Sequence, residues 1–391
     1  MELGGNIKIC RTGALITLIM GVAAGQSFIA IMMGVDTPLA ILKMGASAMM
    51  LGLTYSAWAL GRAGTGLVAG YLFDQSGGKR GLLLSFGMLG LVAWGYSLLA
   101  GPWIMAILRL FQGASAGIYW TSVLAIIGHN VPPAHRVRRL AVFNGAVALG
   151  GMAGGMAGGW LVSTEGFAVP FQLGGIVAVG LFAVVALFLP GDRRSQRINL
   201  SLPVQLSPKI AAMSILGGLS QVPSFLSNAA APLELMRFGM GAGIFGIENA
   251  ALVFGNLLGQ GVIFRKPALV FRKSGTLFLY ALGICAVLGI SYAPSGWILV
   301  GMLALLGSLI SIYGVLWTAA IQARAATKDT GKVTGALRTT GDTMSAASYP
   351  LIGWAEHDPG ITGLMLVALL GGTLGYIWRH YAALFDARDR Q

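Results

Sequence analysis

Charge is scarce in this sequence. Only 10% of its 391 residues are charged, and Asp plus Glu number 13, whereas a soluble domain carries about 25% charged residues. That shortage excludes a water-soluble globular fold. Cysteine is nearly absent: Cys10 and Cys285 lie far apart, so no disulfide framework, CxxC pair or haem motif can be built. The four histidines, His129, His135, His357 and His380, are scattered without metal-ligand spacing, and no metal site is expected. No GxxxxGK[ST] string occurs, which excludes NTP-driven transport by this chain alone. No nucleophile–base pair stands out either, so the chain is expected to be no enzyme and to need no cofactor.

What is present is hydrophobic: 56% of the residues, with 59 glycines. A membrane-spanning helix needs about 20 mainly apolar residues. By that measure the sequence predicts twelve spans, near 12–34, 45–72, 81–100, 102–128, 140–162, 167–189, 210–232, 241–264, 276–293, 296–320, 334–354 and 361–380. Turn signals separate them, including Gly34-Val-Asp36-Thr-Pro38, Gly101-Pro102, Ser163-Thr-Glu165-Gly166, Ala293-Pro294-Ser-Gly296 and Asp358-Pro359-Gly360. The first apolar run is too long for a signal peptide and is expected to remain as helix 1.

The net charge of +13 is distributed unevenly. Of the 26 Lys and Arg residues, Lys43 and Arg237 fall on one side of the predicted spans, while Arg62, Arg109 and Arg338 fall inside them. All others fall on the opposite side, with both termini. This is the positive-inside pattern, which makes that side cytoplasmic and excludes a nucleic-acid footprint. The longest polar stretch, from Pro190 to Lys209, lies mid-chain and divides the spans six and six. At an offset of 194, Ile118-Tyr119 falls on Ile312-Tyr313, Lys79 on Lys273 and Arg138 on Lys332. The expected domains are residues 1–190 and 210–391, each a six-helix bundle, joined by a cytoplasmic loop over 191–209. Internal repeats of this kind build many secondary transporters, with the substrate between the halves.

Three strings carry a resemblance. Gly70-Tyr-Leu-Phe-Asp74-Gln-Ser-Gly77-Gly78-Lys79-Arg80 is similar to the loop between helices 2 and 3 of the major facilitator superfamily, departing from it at Gln75 and Gly78. Arg109-Leu-Phe-Gln112-Gly113-Ala-Ser-Ala-Gly117 resembles that family's helix 4 pattern. Gly150-Gly-Met-Ala-Gly154-Gly155-Met-Ala-Gly158-Gly159 resembles its antiporter-associated helix 5 pattern, with Gly155 at the proline position. The resemblance implies a monomeric all-α protein of twelve transmembrane helices, working by alternating access. It assigns Arg109 to proton coupling, and Gly70, Asp74, Gly77, Lys79 and Arg80 are expected to form an inner gate. Physically, Arg109 is a charge in a hydrocarbon span that must be paired, hydrated or snorkelled to the interface.

The remaining intramembrane charges are functional candidates by default. Arg62 lies roughly 18 Å along helix 2 from Asp74, near the midplane, suited to an anionic group or to a carboxylate of the opposite half. Arg338 and Asp342, four apart, share a helix face and suggest an internal ion pair with a gating or coupling role. Glu248 is the candidate for reversible protonation, whereas Asp36 and Glu234 read as solvated helix ends. Gln26, Tyr55, Tyr119, Asn144, Gln221, Asn228, Asn256, Tyr313 and Trp317 join Arg62 as candidate cavity residues. The favoured reading is proton-coupled export of a small organic solute. Its rivals are uptake or exchange of an organic anion, and a non-transporting receptor or scaffold. Short loops without an added domain fit a bacterial inner membrane.

Overall fold

Small residues decide how these helices meet, and the computed structural model shows where. It describes residues 3–76, 78–130, 133–190, 207–266, 270–322, 330–355 and 359–385. Twelve long helices appear among them: α1 (Leu3–Lys43), α2 (Ala48–Ser76), α3 (Gly78–Ser97), α4 (Pro102–Asn130), α5 (Pro133–Glu165) and α6 (Ala168–Phe188). The series continues with α7 (Pro208–Arg237), α8 (Ala242–Arg265), α9 (Lys273–Ser291), α10 (Gly296–Gln322), α11 (Thr330–Ser348) and α12 (Pro359–Phe385). A 3-10 turn, Tyr349–Leu351, and a short helical stretch, Ile352–Ala355, follow α11. No strand occurs among the described residues. Among the described residues seven helices, α1 and α5 to α10, contain segments long and apolar enough to cross a membrane by length and hydropathy.

Packing repeats with an offset of six helices. α2 packs on α4, α1 on α5 and α3 on α6; correspondingly, α8 packs on α10, α7 on α11 and α9 on α12. The two sets meet where α5 crosses α8 and where α11 crosses α2, again six apart. One buried apolar cluster runs from Ile16 to Leu189. The other, from Ile210 to Leu384, also takes in Val35, Ala48, Leu51, Tyr55 and Ala59 across the seam.

In lipid, apolar side chains gain little by leaving one hydrocarbon for another, so helices associate through close van der Waals approach at small residues. The α5 glycine string shows this on two faces. Gly150 and Gly154 lie against the backbone of Ala24 and Phe28 on α1, while Gly155 and Gly159 lie against Gly246 on α8. Spacing of four keeps each set on one face, so one string serves both a packing face within its half and the seam. Gly113 and Gly117 of α4 lie against the backbone of Trp58 and Arg62 on α2, and Gly255 and Gly259 of α8 repeat this on Ala304 and Ser308 of α10.

The predicted turn at Gly34–Pro38 is a correction: α1 runs through it to Lys43. Pro38 lacks a donor but continues the helix, and Thr37 Oγ1 donates to Met33 O at 2.7 Å. The turns at Gly101, with φ +117°, and Gly166, with φ +84°, fall where the sequence placed them. The connection over 191–206 lies outside the described residues.

A Cβ on Gly154 would collide with the Phe28 carbonyl, whereas at Gly21 it meets nothing within 4 Å. Gly154→Val is therefore expected to destabilise the detergent-solubilised protein by about 1–3 kcal/mol and to lower its Tm. Gly21→Val is expected to leave Tm within a degree or two of wild type, an outcome checked by fluorescence-detected thermal unfolding.

Candidate functional site

The connection between α2 and α3 marks one end of the bundle, called here the basic end. Lys79 Nζ donates to Ala186 O at 2.7 Å, placing a cation on the C-terminal turn of α6 where orphan carbonyls concentrate. Arg80 is exposed. The backbone of Gly70 and Asp74 belongs to α2, but the Asp74 carboxylate and all of Gly77, two of the expected gate residues, lie outside the described residues.

Toward the opposite end, α2 and α11 close on each other. Gly52 lies against the Tyr349 carbonyl, Met49 against Gly353, and Ser56 Oγ donates to Ala346 O at 2.7 Å. The Tyr55 and Tyr349 rings are 5.3 Å apart. One turn or two further toward the basic end, Arg62 meets Asp342 in a two-point ion pair: Nε donates to Oδ2 at 2.9 Å, and Nη2 pairs with Oδ1. The fork of a guanidinium matches a carboxylate in this way, which a lysine could not do. These side chains are 17% and 6% exposed, and the Arg62 guanidinium also covers the Trp58 ring at 4.3 Å.

This overturns the expected pairing of Arg338 with Asp342 within α11. Asp342 is committed to the other half of the molecule, and Arg338 has no carboxylate partner within salt-bridge distance among the described residues. It is instead exposed, with its guanidinium 5.1 Å from the centroid of the Trp120 ring on α4. Trp120 is held edge-on by Phe143 at 5.6 Å and Tyr119 at 5.7 Å. An accessible cation therefore sits beside an aromatic face, at the meeting of the two halves.

Arg109 does not snorkel. It is 5% exposed, and its Nη1 donates to Gln112 Oε1 at 2.7 Å. Tyr96 OH donates to the same oxygen at 3.1 Å, and the Tyr55 ring lies 5.6 Å from the guanidinium. The residues of the helix 4 string thus solvate their own charge: Gln112, one turn on, is the acceptor, while Gly113 brings α2 close.

Two acids are buried without full satisfaction. Glu248 on α8 is 0% exposed; Asn249 Nδ2 donates to its Oε2 at 2.8 Å and Oε1 has no partner. Asp36 is also 0% exposed, and neither of its carboxylate oxygens has a partner. The reading of Asp36 as a solvated helix end is therefore corrected. It lies inside α1 against Gly158, whose missing side chain leaves room for the carboxyl. The Pro38 that suggests a turn in the sequence is what hid this residue; the apolar run continuing to Ile41 was the available signal.

Several cavity candidates are corrected as well. Trp317 and Tyr313 are 0% and 1% exposed. Trp317 Nε1 donates to Tyr280 OH at 2.9 Å and Ser220 Oγ at 3.1 Å, and Tyr313 OH donates to Leu279 O at 2.9 Å. With the Tyr280–Tyr313 stack at 4.5 Å, these groups close an internal network of α7, α9 and α10 and present nothing to a solute. Tyr119 is fully buried and acts by backing Trp120, and Gln26 and Tyr55 are buried at 5% and 8% exposure. Asn144, Gln221, Asn228 and Asn256 are half-buried. Asn256 accepts from Gln260 at 3.0 Å, while Asn228 Oδ1 has no partner.

A helical bundle of two six-helix packing sets, with hydrogen-bonded charges buried along its seam, defines a polytopic membrane transporter fold. More particularly, the chain belongs to the Major Facilitator Superfamily, whose family model matches residues 15–349. It is 25% identical to a gallate transporter of Pseudomonas putida over 186 residues, covering 48% of this chain and 41% of that one. It is 29% identical over 130 residues to an uncharacterised MFS-type transporter of Mycobacterium tuberculosis, covering 33% of this chain and 22% of the other. Both alignments span less than half of the relative's length. Among solved structures, a POT family transporter in complex with 5-aminolevulinic acid superposes with a TM-score of 0.74 at 12% identity, covering 95% of this chain and 96% of that one. The nucleoside transporter NupG gives 0.66 at 13%, covering 95% and 100%. At these identities the structural likeness establishes the fold alone. The chain is an integral membrane protein of a family that moves small solutes.

Gln112→Leu removes the acceptor from a buried guanidinium and is expected to cost about 1–3 kcal/mol, read as a loss of Tm and of folded yield. Adding Arg109→Met, which removes the stranded charge, is expected to recover most of that loss.

Proposed function

We propose that this protein carries a small organic anion across the membrane by alternating access, using protons as the coupling ion. Arg338 carries the reading: an exposed residue of α11 whose guanidinium lies over Trp120 of α4, while its neighbouring carboxylate Asp342 is occupied by Arg62. A planar cation beside an aromatic face can take a carboxylate at its edge while the ring packs the body of the solute. Half-buried Asn144 of α5 and Gln221 of α7 supply further hydrogen-bonding capacity on helices of the two halves. The gallate transporter named above acts on an organic anion of this chemistry, which supports the assignment. The geometry thus moves weight from general export toward the organic-anion reading.

All twelve helices cross the membrane in this proposal, as two six-helix bundles joined through 191–209. The basic end and both termini face the cytoplasm, in a bacterial inner membrane, and the protein works as a monomer. The contacts between Met49 and Gly353, and between Gly159 and α8, then lie toward the external side, so the seam described above is closed outward. Glu248 and Asp36 are the proton-carrying acids, because each is fully buried with an unpartnered carboxylate oxygen, Glu248 on the seam helix α8 and Asp36 between α1 and α5. Proton-coupled export is the second reading, favoured by Gly155 and Gly159 of the antiporter-like string lying directly on Gly246.

Purified protein in liposomes, with an internal pH dye and an imposed pH gradient, separates these. Proton movement triggered by an aromatic or aliphatic carboxylate is expected, falling at least tenfold in Arg338→Gln and in Glu248→Gln. Movement triggered by amphipathic cations and insensitive to Arg338→Gln would replace this reading with cation export.

A further inference from the structure

We infer that Asp342 exchanges arginines during the transport cycle, holding Arg62 while the outward seam is closed and Arg338 once it opens. The inference rests on the alternating-access reading above. Arg62 belongs to α2 and Asp342 to α11, so their ion pair crosses between the two packing sets. Everything from Gly52 and Tyr349 to this pair lies on the one face that must separate for the external end to open. When α2 withdraws, Asp342 loses its partner in a largely dry position. A carboxylate stranded in this way is strongly disfavoured.

Arg338 is placed to replace it. It stands four residues before Asp342 on the same helix, so the two share a face, and helical side chains lean toward the N-terminus, carrying the Asp342 carboxylate toward Arg338. Arg338 makes no hydrogen bond or ion pair among the described residues; its guanidinium lies beside the Trp120 ring, within electrostatic reach of Asp342 and Arg62, and it travels with α11, unlike Arg62. The cluster of two guanidiniums and one carboxylate has one positive charge to spare. With the seam closed, that charge resides on Arg338 and faces the solute. With the seam open, Arg338 is neutralised by Asp342, and the spare charge moves to Arg62 on the other half.

The consequence is that the same carboxylate links the position of α2 to the availability of the anion site. A static binding arginine would leave the seam equilibrium indifferent to its removal. The exchange makes Arg338 a support of the open state and Arg62 a support of the closed one, two opposite effects through one acid.

The test needs no ligand, so it can succeed or fail apart from the anion assignment. Spin labels at Leu98→Cys and Tyr292→Cys, both exposed in the turns at the end opposite the basic one, would be placed in a Cys10→Ser, Cys285→Ser full-length protein. Double electron–electron resonance then reads the open and closed populations in nanodiscs. Arg62→Gln is expected to enlarge the open population at least threefold. Adding Arg338→Gln to that variant is expected to reverse at least half of the gain. In an Asp342→Asn background neither substitution should move the distribution. Arg338→Gln that enlarges the open population, or that acts equally with Asn at 342, would overturn the exchange. Monodisperse elution of each variant separates these outcomes from misfolding.

Discussion

Close backbone approach at glycine is the constraint on which the rest of this molecule depends. A bundle in hydrocarbon has no water to expel from between its helices, so contact must come from shape. Gly154 on Phe28, Gly113 on Trp58, Gly255 on Ala304 and Gly159 on Gly246 each let one helix rest on the main chain of another. Because α5 offers glycines on adjacent faces, it is bound to α1 on one side and to α8 on the other. Packing across the seam and packing within the half are therefore built from the same ten residues. They differ in what they touch: the α1 face meets main chain flanked by bulky side chains, and the α8 face meets glycine on glycine, a smoother surface.

Charge is arranged on that frame in two ways. Arg109 is solvated from within its own half by Gln112 and, through it, by Tyr96. Arg62 is solvated from the other half by Asp342. The first kind of contact persists whatever the halves do; the second depends on their relation. This distinction separates charge satisfied within one half from charge satisfied across the seam more sharply than burial does, since both arginines are largely hidden from water. Asp36 and Glu248 are a third kind, acids with oxygens left unpaired. In a low-dielectric interior such a group costs free energy unless it carries a proton, and its retention against Gly158 and beside Asn249 is the physical basis for proposing that it carries one.

The internal network of Trp317, Tyr280, Ser220 and Tyr313 explains why aromatic residues in a predicted cavity helix need not line a cavity. Large side chains with one polar atom are well used in a core when that atom can be satisfied. Here each is: the indole N–H by Tyr280 and Ser220, the Tyr313 hydroxyl by the Leu279 carbonyl. Trp120, the ring that does meet a free cation, has its edges packed by Phe143 and Tyr119 and one face left open to Arg338.

By itself the sequence determined the class of solvent, the number of long helices, the basic end and the glycine faces. These follow from local composition and from spacing along one helix, and both are legible in one dimension. It also marked Arg62, Arg109, Glu248, Arg338 and Asp342 as charges needing an account, because hydrocarbon tolerates few. Tertiary structure alone decided the pairings. Arg338 and Asp342 satisfy the spacing rule for an ion pair, yet Asp342 turns to Arg62, 280 positions away, because a crossing helix brings a forked guanidinium to it. Asp36 was legible as an acid but not as a buried one, since a proline two residues on reads as a turn until α5 is seen packed against the continuing helix. Spacing states which residues can share a face; what that face meets is decided by the fold.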